Sequence, residues 1–573
     1  MKSFLKILRN FFVFLGLVFF LMLAGASILI THMTHSDHHL PDHMTLTLTL
    51  ADKMMETTPP FLRSFVDGHA PPSLEEWIAT LERAAHDSKV SGVYIRAVGG
   101  ALSLTQAEEL RASIARVRAA GKPVIFFTDT FGEEDNGTAM YYLASAASKI
   151  ILQPGGFAGF SGIAIEEPFF RGLLDKYGVS PEFEKRSAYK SAMDNLTEMH
   201  MTAEDHAQLT RLLGNLSDHV MQAVVQDRKI DIATLIHLRD TAPVPADIAG
   251  QLVDNVQYED QIKFPAERMD LDNYLNSLQQ PKIKKTTPRI VIVNAEGEIV
   301  RGAGGGPSPL ADGTIGAEDF ADTLQDIIDD KNIHAVIIRL SSPGGSAIAS
   351  ESIMRAIQHL KDSGKPVIIS MTNMAASGGY YISVPATKIL ALPSTLTGSI
   401  GVLVGKISLG GLSKQYNVSW DEVAEGKNAA MFASGRGFSP DERAAVARSA
   451  DAVYNTFKSR VAAGRKMSSE AVEAVAQGQV WSGEEAKANG LVDELGGLVE
   501  AVADAKQALN LKPEAEIVVE PYNNNQGPMA VIKLLLNQLG IIDRTSFMAL
   551  LRQEFSTLLH VRPVEMAPLY LKS

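Results

Sequence analysis

Cysteine is absent from the 573 residues. This excludes thiol nucleophiles, iron–sulfur clusters, cysteine-type zinc sites and disulfides together, and leaves the redox compartment unreadable. Positive charge is also short: 53 Lys and Arg stand against 66 Asp and Glu, a formal charge of −13 with a pI near 5.6. A nucleic-acid binder needs a basic stripe to neutralise phosphates, so that class is excluded as well. No His-Glu-x-x-His occurs. Charge of either sign is missing from Phe11 to Ile30, 20 residues that follow Lys2, Lys6 and Arg9. That length suits a helix crossing roughly 30 Å of hydrocarbon, and the positive flank puts the rest of the chain on the outer, periplasm-like side. A cleaved signal peptide is the alternative, with Ala24-Gly-Ala26 as its small-residue site, although the apolar run continues four residues beyond it. His32, His35, His38, His39 and His43 come next, beside Pro41. Nothing in that stretch fixes a coordination geometry, so it reads as a solvated linker rather than a metal site.

What is present is a duplication. Val93-Tyr-Ile-Arg96 matches Val336-Ile-Ile-Arg339 and Gly121-Lys-Pro-Val124 matches Gly364-Lys-Pro-Val367, both 243 residues apart. Tyr141-Tyr142 with Tyr380-Tyr381, Arg228-Lys229 with Arg465-Lys466, and Leu252-Val-Asp254 with Leu491-Val-Asp493 follow at spacings of 237 to 239. Two homologous domains are expected. Ile290 to Val293, Ala335 to Leu340, Val367 to Ser370 and Lys388 to Leu392 have strand character; Glu318 to Asp330 and Ala349 to Ser363 have helical spacing. The class is α/β, built of βαβ units. Gln279 to Pro288 resembles a linker between the halves. Met529 to Ile542 and Phe547 to Leu559 form a helical extension outside the repeat, either docked or lying on a membrane surface.

The chemistry concentrates in Met374-Ala-Ala-Ser377-Gly-Gly-Tyr-Tyr381, where a serine among small residues follows a strand. This is a nucleophile's setting on a strand-to-helix turn. Ser341-Ser-Pro-Gly-Gly-Ser346 follows another strand, and its glycines let backbone N–H groups approach a ligand as an oxyanion hole. The nucleophile needs a base, and His334, His359 and His560 stand in no catalytic pattern. Arg186-Ser-Ala-Tyr-Lys190-Ser-Ala192 offers a lysine among small residues. Desolvation must bring that lysine from about 10.4 to near neutrality, which demands burial between packed domains. Ser187 or Ser191 could orient it.

These motifs, with Leu396-Thr-Gly-Ser-Ile-Gly401, resemble those of the signal peptide peptidases of the long, tandem-repeat type. These are membrane-anchored Ser/Lys proteases related in fold to the crotonases and Clp proteases, and the likeness runs from the anchor to about Leu511. It implies Ser377 as nucleophile, Lys190 as general base, and the N–H groups of Gly345 and Gly378 as oxyanion hole, with no cofactor and no metal. Thr138 lines up with Ser377 and Ala97-Val-Gly-Gly100 with the Pro-Gly-Gly-Ser, so the first half is a degenerate copy that keeps the base. Lys427, 50 residues after Ser377, is the alternative base, since it occupies in the second repeat the place Lys190 holds in the first. The implied organisation is a cytoplasmic stub and anchor over 1–33, a linker over 34–45, an N-terminal repeat over 46–280, a linker over 281–288, a C-terminal repeat over 289–515 and an extension over 516–573. The implied activity is endoproteolysis of released signal peptides and other extended apolar peptides. It would take place at the periplasmic face of the inner membrane, in a ring-like homo-oligomer, a tetramer. A crotonase-like acyl-CoA enzyme and a non-catalytic membrane scaffold are the alternatives from other classes.

Overall fold

Met44-Thr-Leu-Thr-Leu-Thr-Leu50 alternates apolar and hydroxyl side chains, the period of a strand with one face in a core. In the computed structural model it is a strand, with Leu46 and Leu48 fully buried. The structure describes residues 41–51, 53–57, 73–133, 136–278, 284, 286–305, 313–522 and 571–572. The Phe11–Ile30 run, His32 to His39, Gln279 to Ile283 and the apolar segments after Met529 lie outside the described residues. Among the described residues no helix is long and apolar enough to cross a membrane.

The fold is mixed α/β, with one principal parallel sheet in each half. The first runs Glu267–Asp270, Met44–Leu50, Val90–Ala97, Val124–Thr128, Lys149–Leu152, Asn255–Val256. The second runs Val480–Ser482, Leu396–Gly398, Val367–Ala376, Ile333–Ser342, Arg289–Glu296, Val518–Pro521, and only Val480–Ser482 is antiparallel. Lys388–Ala391 and Glu494–Leu495 extend this sheet beside the first part of Val367–Ala376. The duplication is visible in the packing: Tyr141 Oη donates to Leu252 O (2.8 Å) and Tyr380 Oη to Leu491 O (2.9 Å), each beside an Arg–Asp pair, Arg228–Asp254 and Arg465–Asp493.

Sheets buried on both faces have nearly continuous apolar strands, and the second sheet shows why. Ile292, Ile337, Ile368 and Leu390 point into the core that also holds Leu46, Leu110 and Ile114 of the first half. Val293, Val336, Ile369 and Ile389 point into a core closed by helices Ala317–Asp329 and Ala347–Asp362. The halves therefore share a hydrophobic core. They also share a ladder, because Ser180–Arg186 of the first half pairs antiparallel with Val402–Ser408 of the second, from Ser180 against Ser408 to Arg186 against Val402.

The junction buries charge too. Glu75, in the first turn of helix Leu74–His86, is 9% exposed, and burial pushes its carboxyl up to about 7 against the pull of Arg339. A carboxyl raised in the folded state holds a proton that the unfolded chain releases above its ordinary value of 4.5. Its contribution to stability is therefore whole below that value and is lost as pH climbs through about 7. Glu75→Gln, which cannot ionise, should lose less stability than the parent between about pH 5 and 8. Denaturant titrations at both pH values check this, and equal losses in the two proteins would refute it.

Candidate active site

Val367–Ala376 continues six residues past the apolar run by exchanging neighbours, from Lys388–Ala391 to Leu396–Gly398. It ends at Ser377, whose φ of 53° and ψ of −116° lie where a side chain is seldom found. The turn is held because Ser377 N–H donates to Gly398 O (2.8 Å) and because helix Gly378–Ser383 starts at once, all its residues buried. The strain lifts the Ser377 hydroxyl out of the sheet.

Ile333–Ser342 delivers the second loop beside it. Gly344 (φ 107°) and Gly345 (φ 142°) take conformations that side chains avoid, and Ile299 clamps them, its N–H donating to Gly344 O (2.7 Å) and its O accepting from Ser346 N–H (2.8 Å). A Cβ on Gly344 would stand 2.7 Å from Gly378 N and 2.8 Å from Ser377 Cβ; one on Gly378 would stand 3.3 Å from Gly345 N. Only glycine permits this approach, which sets the N–H groups of Gly345 and Gly378 side by side next to Ser377. Neither N–H has a hydrogen-bond acceptor among the described residues.

The lysine comes from the other half. Ser180–Arg186, stitched to Val402–Ser408, leads into a turn in which Lys190 N–H donates to Ser187 O (3.3 Å). Lys190 Nζ lies 3.1 Å from Ser377 Oγ, 2.9 Å from Ser399 Oγ and 3.2 Å from Ser399 O. The residue is 4% exposed, and burial brings its pKa from 10.5 down to about 8, with no other cause acting on it. Its stem passes between two glycines, since a Cβ on Gly401 would meet Lys190 Cδ at 3.1 Å and one on Gly478 would meet Lys190 N at 2.6 Å.

Ser399 is the residue that sequence reasoning missed. It sits inside the Leu396-Thr-Gly-Ser-Ile-Gly401 motif, the one signal the sequence carried, and takes a left-handed φ of 49° in the structure. It takes the orienting place expected of Ser187 or Ser191. The Ser187 contact with Lys190 is through its carbonyl, and the Lys190 Nζ bonds run to Ser377 and Ser399.

The other sequence candidates stand apart. Thr138 is 2% exposed and its hydroxyl is consumed, donating to Gly162 O (2.7 Å) and accepting from Gly162 N–H (3.0 Å). The left-handed residue there is Gly137 (φ 65°), one position earlier than Thr138, so no strained hydroxyl is raised. Lys427 is exposed and makes no hydrogen bond or ion pair among the described residues. His334 Nδ1 accepts from Arg289 N–H (3.2 Å), away from Ser377. Among the described residues no group of three His, Asp or Glu could hold a metal ion.

The model of Peptidase family S49 matches residues 116–270 and again 359–512. The chain is 31% identical over 484 residues to the serine protease SPPA, chloroplastic, of Arabidopsis thaliana, across 81% of this chain and 69% of that protein. It is equally 31% identical over 516 residues to Protease 4 of Haemophilus influenzae, across 84% of this chain and 79% of the other. A shorter match, 32% over 210 residues, covers 37% of this chain and 60% of a protein of Enterococcus faecium that carries the name of a signal peptide peptidase, SppA.

The glycine channel around Lys190 makes a prediction of its own. Gly478→Ala pushes a methyl into the Lys190 backbone, whereas Gly490→Ala, at a similar left-handed φ of 76°, meets nothing within 4 Å. Both alanines carry similar backbone strain, about 1 kcal/mol or more, and Gly478→Ala should lower stability further because its methyl would stand 2.6 Å from Lys190 N. Only Gly478→Ala should also lower peptide hydrolysis, by about tenfold or more as Lys190 is displaced. Equal activity in the two variants would show that Lys190 does not depend on this packing.

Proposed function

The chain belongs to peptidase family S49 and is a serine protease, and we propose that Ser377 is its nucleophile, Lys190 its general base, and Gly345 and Gly378 its oxyanion hole. The observation that carries this is the 3.1 Å approach of a buried lysine in one half to a left-handed serine in the other. Neutral Lys190 takes the proton from Ser377 Oγ as the oxygen attacks the scissile carbonyl. The N–H groups of Gly345 and Gly378 receive the negative charge that develops on the carbonyl oxygen. Lys190 then gives its proton to the leaving amine, and water deprotonated by the same lysine hydrolyses the acyl-enzyme. Ser399 keeps the amine pointed at Ser377 through both steps.

The substrates we propose are extended apolar peptides, among them released signal peptides; the name of the Enterococcus faecium relative supports that class. The Phe11–Ile30 run supports a single-pass anchor in the inner membrane, with the protease on its periplasmic side. Each half is proposed to be a repeat of the crotonase/Clp type, with the linker near 281–288. An acyl-CoA enzyme would place a carboxylate at the oxyanion loop; here Ser377 faces a lysine.

A ring-like homo-oligomer, a tetramer, is the proposed assembly, and the unequal fate of one repeated segment supports it. Tyr177-Gly-Val-Ser180 corresponds to Tyr416-Asn-Val-Ser419, with left-handed φ values of 67° at Gly178 and 57° at Asn417. The first copy runs on into the strand that pairs with Val402–Ser408, whereas the second runs into an exposed segment in which Val418, Trp420 and Val423 lie open. The counterpart of Val402–Ser408 in the first half begins at Ile163-Ala-Ile165, an edge that accepts Leu571–Lys572 antiparallel. A second copy could add its 419–425 segment there in place of Leu571–Lys572, repeating the internal junction head to tail.

Two measurements test the proposal. Ser377→Ala and Lys190→Ala should each lose several orders of magnitude in kcat while Lys427→Ala keeps most of it. The kcat/KM of the parent should rise with pH through about 8, because only the uncharged amine accepts a proton. A rise centred near pH 6.5, or an active Lys190→Ala, would contradict a lysine base. For the assembly, Val423→Pro removes an N–H from the exposed segment and should shift sedimentation to smaller species without loss of fold; an unchanged assembly would contradict the head-to-tail contact.

A further inference from the structure

Arg339 is a buried charge that the chemistry above does not use. It lies at the middle of the second sheet, in a polar row with its register partners Asn294 and Ser370. Ile333–Ser342, which carries it, ends at the oxyanion loop, and Val367–Ala376, which carries Ser370, ends at the nucleophile. The Arg339 side chain is 2% exposed. One edge of its guanidinium is bidentate to Glu109, Nη1 at 3.0 Å from Oε1 and Nη2 at 2.9 Å from Oε2. Nη2 also reaches Glu56 Oε2 (3.0 Å) and Nη1 reaches Ser370 Oγ (3.0 Å). Glu109 and Glu56 both belong to the first half, the half that brings Lys190. Gln106 Nε2 holds the other oxygen of Glu56 (3.0 Å), and Leu498 N–H donates to Glu109.

The duplicated chain contains its own control. Arg96, the repeat partner of Arg339, pairs with Glu259 of its own half at 2.9 Å and is 34% exposed. Phe127 stands where the second half has Ser370, and Ser352, which is exposed, where the first has Glu109. Among the described residues the buried fork joins the two halves of the chain, and Arg96 has no such fork. A buried ion pair adds little net stability, because desolvation offsets the attraction. Its bidentate geometry, however, fixes distance and angle in a way that apolar packing does not.

We propose that Arg339 is a positioning residue for the reaction: by gripping Glu109 and Glu56 from the strands that end at the oxyanion loop and the nucleophile, it fixes where Lys190 meets Ser377. The proposal rests on the assignment of Ser377 and Lys190 as the dyad. Raised carboxyl values at Glu56 and Glu75, both driven by burial, accord with three carboxylates enclosed around one guanidinium.

The test is the rate of Ser377 labelling by an alkyl fluorophosphonate as a function of pH, in the full chain, with circular dichroism and thermal melts as the check on folding. Arg339→Lys keeps the charge without the fork; Glu109→Gln keeps the side-chain volume and decides the matter if the lysine variant does not fold. The expected result is a labelling rate about tenfold lower or more, with the alkaline limb moved up toward the ordinary lysine value as water reaches Lys190. A folded variant that labels like the parent overturns the proposal. So does a slower variant whose limb stays in place, since loosened packing alone would do that. Ser377→Ala separates this failure from the other: if the parent takes label that Ser377→Ala also takes, it is the dyad assignment that falls.

Discussion

Lys190 has to be stripped of water on every side while still touching Ser377, and most of the site's construction serves that one requirement. Bringing an amine from 10.5 to about 8 by burial alone corresponds to roughly 3 kcal/mol of disfavoured ammonium, at 1.36 kcal/mol per unit. No nearby cation contributes, so the packing must supply all of it. The two halves do so jointly. The first half sends the lysine down a channel floored by Gly401 and Gly478, and the second closes its end with Ser377 and Ser399. A base carried on the same half as the nucleophile would need its own half to fold around it; here a domain junction performs the desolvation.

The duplication explains how such a junction arose without a second site. Both halves retain the strand-to-helix turn and the tyrosine that hydrogen-bonds a later carbonyl. They differ in which residue bears the left-handed strain. At Ser377 the strain raises a hydroxyl; in the first half Gly137 absorbs it and the Thr138 hydroxyl turns back onto Gly162. The same asymmetry governs the lysines. Lys190 follows a strand fastened to the other half, whereas Lys427 follows a segment with no partner strand among the described residues and stays in solvent. One left-handed serine and one buried lysine remain, contributed by opposite halves and meeting at 3.1 Å.

Much of the second half could be read from residue order alone. Its expected apolar runs fall on observed strands, and the two expected helices begin and end within two residues of their positions, because both periods were strong; Pro440–Arg465 was not read. The extent of Val367–Ala376 was hidden, since Thr372 and Asn373 interrupt the apolar run; Asn373 is accommodated by Ser103 of the first half (2.6 Å), a partner 270 residues away. Ser180–Arg186 was equally hidden. Its sequence, Ser-Pro-Glu-Phe-Glu-Lys-Arg, has little strand character, and it is held by Val402–Ser408 and by Arg443, 2.7 Å from both Glu182 and Glu184. Ser377 announced itself through its glycines. Lys190 stood out as a lysine among small residues, but the family resemblance was what tied it to Ser377, because nothing local connects residue 190 to residue 377, and Ser399 and Arg339 acquire meaning only once long-range partners are known.

The central claim is that burial, and burial alone, makes Lys190 a base near neutrality. The most direct measurement is an NMR titration of the Lys190 side chain, with lysine labelled at the ε-carbon and the resonance assigned by its loss in Lys190→Arg. The account predicts a midpoint near 8, well separated from the solvent-exposed lysines near 10.4. A Lys190 signal that titrates with the exposed lysines would contradict it.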